Sequence, residues 1–207
     1  MHQLTSKQLL SLESYAKVRA SVRTIMIDYK KQRQFYLGKH ARVCFEDQTT
    51  VQYQVQEMLR VERIFEADAI EEELEAYNPL IPEGSNLKAT LMLEYPDVEE
   101  RKQALARLVG IEDLVWIQMS GFDKVYAIAN EDLQRSTADK TSAVHFLRFE
   151  LSQKMIDSFC LESKIFMGID HPNYSISSVS IPLPIVKSLI ADLSPEIHPT
   201  IFETILG

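Results

Sequence analysis

The chain has 207 residues, of which 45% are hydrophobic and 25% are charged, and its formal net charge is −8 at pH 7. These fractions are ordinary for a globular protein, and the length suits a single compact domain over residues 1–207. No run approaches the roughly 18 apolar residues of a membrane span, and no signal-type apolar segment opens the chain. Two distant cysteines, Cys44 and Cys160, favour packed thiols over a disulfide. We therefore expect a cytoplasmic protein that does not enter a membrane.

The first quarter of the chain changes from helical to alternating periodicity. Apolar residues at helical spacing predict a long helix over residues 17–37, after a short one nearer the N-terminus. Gly38 stands where a helix C-terminal cap belongs. Alternation then predicts strands over residues 41–46 and 50–55, with a hairpin turn at residues 47–49.

Helical spacing returns just after residue 56. It predicts two helical segments, the second of which ends at Asn78-Pro79. A strand follows over residues 87–95. Pro96-Asp97 then opens a helix that we expect to run to about residue 109.

The second half continues the same mixture of elements. Strands are predicted over residues 114–119, 124–130, 143–151, 164–169 and 175–181, and helices over residues 152–161 and 183–193. A polar stretch near residues 131–142 is a candidate weak subdivision. About eight strands, often joined by hairpins, with five or six helices favour an α+β fold in which helices pack on a mostly antiparallel sheet.

Charge is distributed unevenly along the chain. Residues 1–45 carry a net charge of +7, residues 46–100 carry −12 and the remainder carries −3. A basic segment of this kind serves nucleic acid or an acidic partner, or it lies against the acidic middle of its own chain or is simply solvated. We favour these last two interpretations. An acidic chain without interleaved aromatic and basic residues is a poor candidate for binding nucleic acid.

Five segments of the chain resemble a known bacterial family. They are QEMLRVERI and EEELEAYNPLIPEGSNLKATLMLEY within residues 56–95, ARLVGIED at 106–113, HFLRFEL at 145–151 and GIDHPNY at 168–174. The family is the domain of unknown function numbered three-five-zero-one, and the resemblance covers almost the whole chain. It implies a cytoplasmic protein with no assigned reaction and no catalytic residues to transfer. Genes of this family often neighbour those of rubrerythrin-like and of iron–sulfur, heterodisulfide-reductase-like proteins, which implies a redox or iron-related setting.

The familiar catalytic and cofactor motifs are missing from the sequence. It contains neither GxGxxG nor a P-loop among its six glycines, and no GxSxG, CxxC or HExxH. The Glu-x-x-His pairs of di-iron bundles are missing as well. Two cysteines cannot supply the four thiolates that hold an iron–sulfur cluster. Cofactors are therefore unknown from the sequence.

Three charged residues fall where predicted helices should be apolar. At about 100° per residue, Glu62 lies between Met58 and Phe65, while Glu73 and Arg101 lie beside or within the apolar stripes of the next two helices. Because unpaired charges are costly to bury, we predict that the three form an internal network. An internal salt bridge is the favoured interpretation, and an anion or metal site is the alternative.

Two histidines are candidates for acid–base or metal chemistry. His145 is predicted on an apolar strand face, where a satisfied core histidine is the commoner outcome. Arg148, on the opposite face of the same strand, is a further candidate binding residue. His171 follows Asp170 in a predicted turn, where turn chemistry is the commoner outcome. If both histidines converged with a carboxylate, a metal site would follow.

We therefore expect a non-catalytic accessory or binding protein with a protein partner or a second copy of itself, possessing neither nucleic-acid nor membrane affinity. The alternative is a metal-assisted enzyme that uses His145, His171, Asp170 and a buried acid. A third option is a structural subunit that docks through the basic helix at residues 17–37.

Overall fold

The computed structural model describes residues 3–129, 131, 136, 137, 139–194 and 200–202. Within them, six α-helices and nine strands form an α+β fold with two antiparallel sheets, which confirms the predicted class. The strands are divided between a five-stranded and a four-stranded sheet, where the sequence suggested one sheet. The candidate boundary at 131–142 includes residues 132–135 and 138, which lie outside the described part. No helix in the described part is long and apolar enough to cross a membrane.

The helices have the following bounds: α1 Leu12–Lys31, α2 Gln48–Glu62, α3 Ala67–Tyr77, α4 Val98–Arg107, α5 Gln153–Ser158 and α6 Leu183–Asp192. The strands are β1 Gln34–Leu37, β2 Ala41–Glu46, β3 Asn86–Leu93, β4 Val115–Met119, β5 Val125–Tyr126, β6 Ile128–Ala129, β7 Val144–Glu150, β8 Ile165–His171 and β9 Tyr174–Ser180. Short 3-10 turns occur at Ser6–Gln8, Asn78–Leu80 and Ile111–Leu114.

The long N-terminal helix ends earlier than predicted. It stops at Lys31, and the predicted last turns form strand β1 instead, paired with β2 from Gln34 opposite Cys44 onward. Gly38 has φ +74° and lies between these two strands, so it serves a hairpin turn rather than a helix cap. The polar residues at the end of α1 had concealed this change of period.

The predicted strand over residues 50–55 is wrong, because this segment is the first half of α2. Asp47 caps the helix by accepting a hydrogen bond from Thr50 N at 2.8 Å, and Thr50 Oγ1 accepts one from Asp47 N at 2.9 Å. The buried residues of α2 recur at helical spacing (Val51, Val55 and Leu59, among others). The alternation of Val51, Tyr53 and Val55 with glutamines therefore was not a strand signal, and the expected hairpin turn is a capping box.

The two sheets share one apolar core. The five-stranded sheet has the order β1-β2-β3-β7-β6 and the four-stranded sheet has the order β5-β4-β8-β9. Their inward side chains, such as Val43, Leu91, Phe149, Ile117 and Met167, join buried residues of α4, α5 and α6 in one cluster. The segment predicted as one strand over residues 124–130 is interrupted at Ala127. Its two short pieces, β5 and β6, therefore belong to different sheets, and Asn130 is outside the described part.

Two smaller clusters place the N-terminal helices. Val51 and Val55 of α2 pack with Leu74 of α3, and Phe146 of β7 lies against this cluster from the outer face of the five-stranded sheet. In the other cluster, Tyr15, Val22 and Met26 of α1 contact Phe202, with Tyr53 of α2 at its edge. The side of the α1–α2 pair that faces neither cluster is exposed to solvent.

A buried arginine joins the ends of three elements. Arg33 is 1% exposed; its Nη2 lies 2.5 Å from Asp192 Oδ2 at the end of α6, and its Nη1 lies 3.2 Å from Asp47 Oδ2 at the start of α2. Its Nε and Nη2 also donate to the backbone carbonyls of Phe45 and Glu46, at 3.0 and 3.1 Å. Nη1 also lies 3.4 Å from Ser188 O. One buried guanidinium thus serves two carboxylates and three backbone carbonyls.

We expect this cluster to make stability depend on pH. Burial raises the pKa of the Asp192 carboxyl to about 7, because Arg33 offsets only part of the lost hydration and Asp47 adds a second negative charge. A carboxyl whose pKa is higher in the folded than in the unfolded state contributes most to stability below the unfolded pKa, near 4. This contribution to stability is lost as the pH rises to about 7.

The free energy of unfolding of Asp192→Asn, relative to that of the wild type, should therefore rise by roughly 2 kcal/mol between pH 5 and pH 8. Urea unfolding at each pH measures this difference. Curves that stay parallel across this range would contradict the assignment. Asp28→Asn, which alters an exposed carboxylate paired with Lys31, is the matched control and should show no such change.

Candidate functional site

His145 lies in a closed polar network behind strand β7. The side chain is 0% exposed, and its Nε2 lies 2.9 Å from Thr141 Oγ1, 3.0 Å from Ser142 O and 3.7 Å from Glu112 Oε2. Thr141 Oγ1 donates to Glu112 Oε2 at 3.1 Å, and Ser136 Oγ donates to the other oxygen of Glu112. These bonds attach the segment before β7 to the 3-10 turn at Ile111–Leu114. The network is buried, so it offers a substrate no direct access.

His171 and Asp170 face opposite sides of strand β8. His171 is 4% exposed; its Nε2 donates to Val109 O at 3.3 Å, and its Nδ1 accepts a hydrogen bond from Asn173 N at 3.2 Å. Both ring nitrogens therefore have backbone partners, one in the β8–β9 turn and one in the segment after α4. Adjacent strand residues alternate in direction, which is why the expected partnership between His171 and Asp170 does not form.

Asp170 instead accepts hydrogen bonds from three side chains on the outer side of the four-stranded sheet. It accepts hydrogen bonds from Lys124 Nζ at 2.7 Å, from Tyr126 Oη at 2.6 Å and from Trp116 Nε1 at 3.0 Å. The Lys124 ammonium lies 4.2 Å from the centroid of the Trp116 ring. Hydrogen bonds from Lys124 and Tyr126 hold the pKa of the Asp170 carboxyl below its usual value, so it is a poor proton acceptor at neutral pH.

The structure does not bring the histidines into a ligand set. Among the described residues, no group of three or more His, Cys, Asp or Glu side chains is arranged to hold a metal ion. Arg148, the remaining candidate, lies on the outer face of the five-stranded sheet and pairs with Glu131 at 2.7 Å and Glu150 at 2.6 Å.

The predicted network of Glu62, Glu73 and Arg101 is not assembled in the described part of the chain. Glu62 is exposed at the end of α2, and Glu73 is half-buried with a raised pKa, caused by burial and then by the charge of Glu62. Arg101 forms no ion pair with either glutamate there and donates from Nη1 to Tyr95 O at 3.2 Å. The helical projection placed these residues beside apolar neighbours, but Phe65, the supposed apolar partner of Glu62, is 71% exposed.

The exposed flank of the α1–α2 pair is strongly basic. We define the basic seam as Arg19, Arg23 and Lys30 of α1 with Tyr53, Glu57 and Arg60 of α2. It contains four cations and one carboxylate.

Glu57 is the centre of the seam. Its Oε1 accepts from Arg19 Nε at 2.7 Å and from Tyr15 Oη at 2.6 Å, and its Oε2 accepts from Arg19 Nη2 at 2.8 Å. Arg60 Nη2 lies 3.4 Å from the same Oε2. The hydrogen bond from Arg19 is the largest cause of lowering the pKa of Glu57 to about 2, so Glu57 stays ionised throughout the neutral range.

The other cations of the seam lack a balancing acid. Lys30 Nζ lies 5.6 Å from the centroid of the Tyr53 ring, and Arg23 is exposed near the same ring. Neither of them pairs with a carboxylate of the described residues, and Ile27 beside them is 48% exposed. The seam can therefore attract and hold an acidic surface with an apolar centre.

The sequence revealed this seam only in part. The expectation that basic residues of the N-terminal segment pair with the acidic middle is confirmed for Arg19 with Glu57, Arg33 with Asp47, and Arg42 with Glu94. The seam itself was missed because half of α2 had been assigned to a strand, which conceals the shared flank of Tyr53, Glu57 and Arg60. Helical spacing of these residues was the available signal.

Cys44, on the outer face of β2, is a buried free thiol, and Cys160 is an exposed free thiol. Burial raises the pKa of the Cys44 thiol to about 12, and the nearby Glu46 charge adds to this effect. Cys44 therefore stays protonated, which does not favour a reactive role.

Comparison with known proteins identifies relatives of unknown function. The family model described as "Protein of unknown function (DUF3501)" matches residues 3–193. A crystal structure titled as a novel protein of unknown function from Burkholderia pseudomallei is 50% identical, with a TM-score of 0.89, and the match covers 93% of this chain and 100% of that chain. The curated proteins contain no match to this sequence. The chain belongs to the DUF3501 family.

Proposed function

We propose that the protein is a non-catalytic accessory protein that binds an acidic partner protein through the basic seam. The observation that carries this proposal is the imbalance of the seam, four cations around one carboxylate on an exposed flank of two helices. Two of the four, Arg23 and Lys30, are not engaged by carboxylates of the described chain. Charge complementarity of this kind accelerates association and selects the partner.

A protein partner suits the seam better than a nucleic acid does. The chain as a whole carries −8, and the acidic α3 presents Glu71, Glu72 and Glu75 to solvent. A long polyanion would meet this repulsion beyond the few cations of the seam, whereas a compact acidic patch would not. The exposed Ile27 adds an apolar contact that a protein surface can match.

The cellular setting is proposed from the family. The family's gene neighbours favour a partner among cytoplasmic redox or iron proteins. The residues of the seam do not themselves indicate a redox cofactor, so the identity of the partner is left to experiment.

The metal-assisted enzyme considered from the sequence has less support. It requires His145, His171 and Asp170 to converge. The described contacts assign His145 to a buried network, His171 to a turn and Asp170 to a separate surface cluster. We propose it only as the alternative, which loss of function on replacing these side chains in a folded protein would favour.

A photo-cross-linking amino acid at position 27 tests the docking surface. Expressed in the source organism, this variant should cross-link to one acidic protein after irradiation. The matched variant with the same amino acid at exposed Leu161 should not capture that protein. Equal capture from both positions would contradict docking at the seam.

Binding of the purified captured protein should depend on the unbalanced cations. In the double variant Arg23→Glu/Lys30→Glu, the Kd should rise at least about tenfold, and in the wild type the Kd should rise with salt because exposed charges are screened. Lys154→Glu, at an exposed position on α5, is the control and should leave the Kd nearly unchanged. Light scattering of the mixture tells a foreign partner from a second copy of this chain. Unaltered affinity in the double variant would contradict the proposal.

A further inference from the structure

A groove lies at the end of the five-stranded sheet, remote in sequence from the seam. It has a volume of about 480 Å³ and is formed by residues 92–96, Arg101 and residues 143–144. Six of its eight lining residues are apolar, and the remaining two are Glu94 and Arg101. It is a shallow depression that is largely open to solvent. Its lining, mostly apolar with two charged side chains, is of the kind that contacts small organic molecules.

Local structure holds the walls of the groove in place. Strand β3 ends at Leu93, whose N–H donates to Ala143 O at 2.8 Å, and Asp97 then caps α4 by accepting from Glu100 N at 2.8 Å. The Tyr95 ring stacks on His40, with centroids 4.0 Å apart and an interplanar angle of 10°. The groove is thus formed by two strand ends and a capped helix, whose hydrogen bonds fix the positions of its walls.

The two charged residues of the groove differ in whether an opposite charge is paired with them. The Glu94 carboxylate is neutralised by Arg42, whose Nε donates to it at 2.7 Å, and it accepts a further bond from Tyr36 Oη at 2.9 Å. In the part of the chain that the structure describes, the Arg101 side chain donates one hydrogen bond, from Nη1 to Tyr95 O at 3.2 Å, and forms no ion pair with a carboxylate. The groove therefore contains one unbalanced positive charge.

We propose that this groove binds a small organic carboxylate whose apolar body lies on Met92, Pro96 and Val144 and whose carboxylate is held by Arg101. A guanidinium presents two parallel N–H groups that match the two oxygens of a carboxylate. A single arginine balances one negative charge. A doubly charged phosphate would require a second unpaired cation, which the groove lining does not offer, because Arg42 is already paired with Glu94. The proposal is independent of the partner that docks at the seam.

Titration with octanoate, followed by amide chemical shifts of the labelled protein, tests the site. Octanoate should shift the resonances of residues 92–96, Arg101 and residues 143–144 and saturate. Octanol lacks the carboxylate and acetate lacks the apolar chain, so each should bind at least tenfold more weakly. Shifts located elsewhere, or equal affinity for octanol, would overturn the proposal. Tighter binding of octyl phosphate would overturn the choice of a carboxylate.

Two variants separate the charge from the cavity. Arg101→Gln should weaken octanoate binding at least tenfold, whereas Arg107→Gln, an exposed arginine on the same helix, should not change it. Val144→Trp, at a position 36% exposed, should fill the groove and abolish binding while Arg101 remains. Amide spectra confirm folding in each case, and retained cross-linking from position 27 shows that the seam is intact. Full octanoate affinity in either groove variant would overturn the proposal.

Discussion

Replacement of Arg33 by alanine is expected to lower the free energy of unfolding by about 3–5 kcal/mol at pH 8. The substitution leaves the buried Asp192 and the partly buried Asp47 without their common cation, and it frees the carbonyls of Phe45 and Glu46. The loss should be smaller at pH 5, where the raised pKa allows Asp192 to be protonated.

Denaturant unfolding monitored by circular dichroism provides the measurement. Lys31→Ala is the control, because Lys31 forms an exposed pair with Asp28 that should be worth no more than about 0.5 kcal/mol. The triple variant Arg33→Met/Asp47→Asn/Asp192→Asn should recover much of the loss, since it removes the unpaired charges together with the arginine. A loss below about 1 kcal/mol in Arg33→Ala would show that the cluster does not unite the three elements.

The variant Gly168→Ala is expected to lose about 3 kcal/mol or to fold incompletely. A Cβ at this position would overlap the carbonyl oxygen of Ile176 and the Trp116 indole, with Trp116 Cε2 only 2.6 Å away. The residue lies opposite Trp116 in β4, and the pairing of β8 with β9 is irregular at this point. Because a backbone oxygen is one of the obstacles, a change of side-chain rotamer cannot relieve the overlap.

The effect is steric, and a second glycine allows this to be checked. Gly84 has φ +89°, and no heavy atom beyond its two chain neighbours lies within 4 Å of the position that a Cβ would take, so Gly84→Ala should cost only about 1 kcal/mol of conformational strain. Thermal and denaturant unfolding should therefore show a much lower free energy of unfolding for Gly168→Ala than for Gly84→Ala. Equal losses would contradict the close approach of β8, β9 and Trp116.

The sequence was most informative where a local signal and the burial pattern agreed. Strand β2 was predicted with the bounds it has, and Asp97 was recognised as the residue that opens α4. The start of α2 was predicted wrongly as a strand, because Val51, Tyr53 and Val55 alternate with glutamines over only six residues. At this length strand and helix patterns coincide. The capping box of Asp47 and Thr50 was the stronger local signal.

The charged sites were less predictable, because pairing over long sequence separations decides them. The contact of Arg33 with Asp192 spans 159 residues, and nothing near either residue indicates the other. The projection that grouped Glu62 with buried residues ignored that α2 ends there, so Glu62 and Phe65 are both exposed. For Asp170 and His171, strand alternation sends adjacent side chains to different environments, although adjacency had suggested a joint role.

Complementation of a deletion strain of the source organism tests the central claim, that the protein acts by binding rather than by catalysis. Folded variants His145→Gln, His171→Gln and Asp170→Asn should restore fitness in competition with the wild type. The charge-reversed seam variant Arg23→Glu/Lys30→Glu should not restore it, and Lys154→Glu should. If the seam variant restored full fitness while a stably folded Asp170→Asn or His171→Gln did not, the binding account would be contradicted and the enzyme favoured.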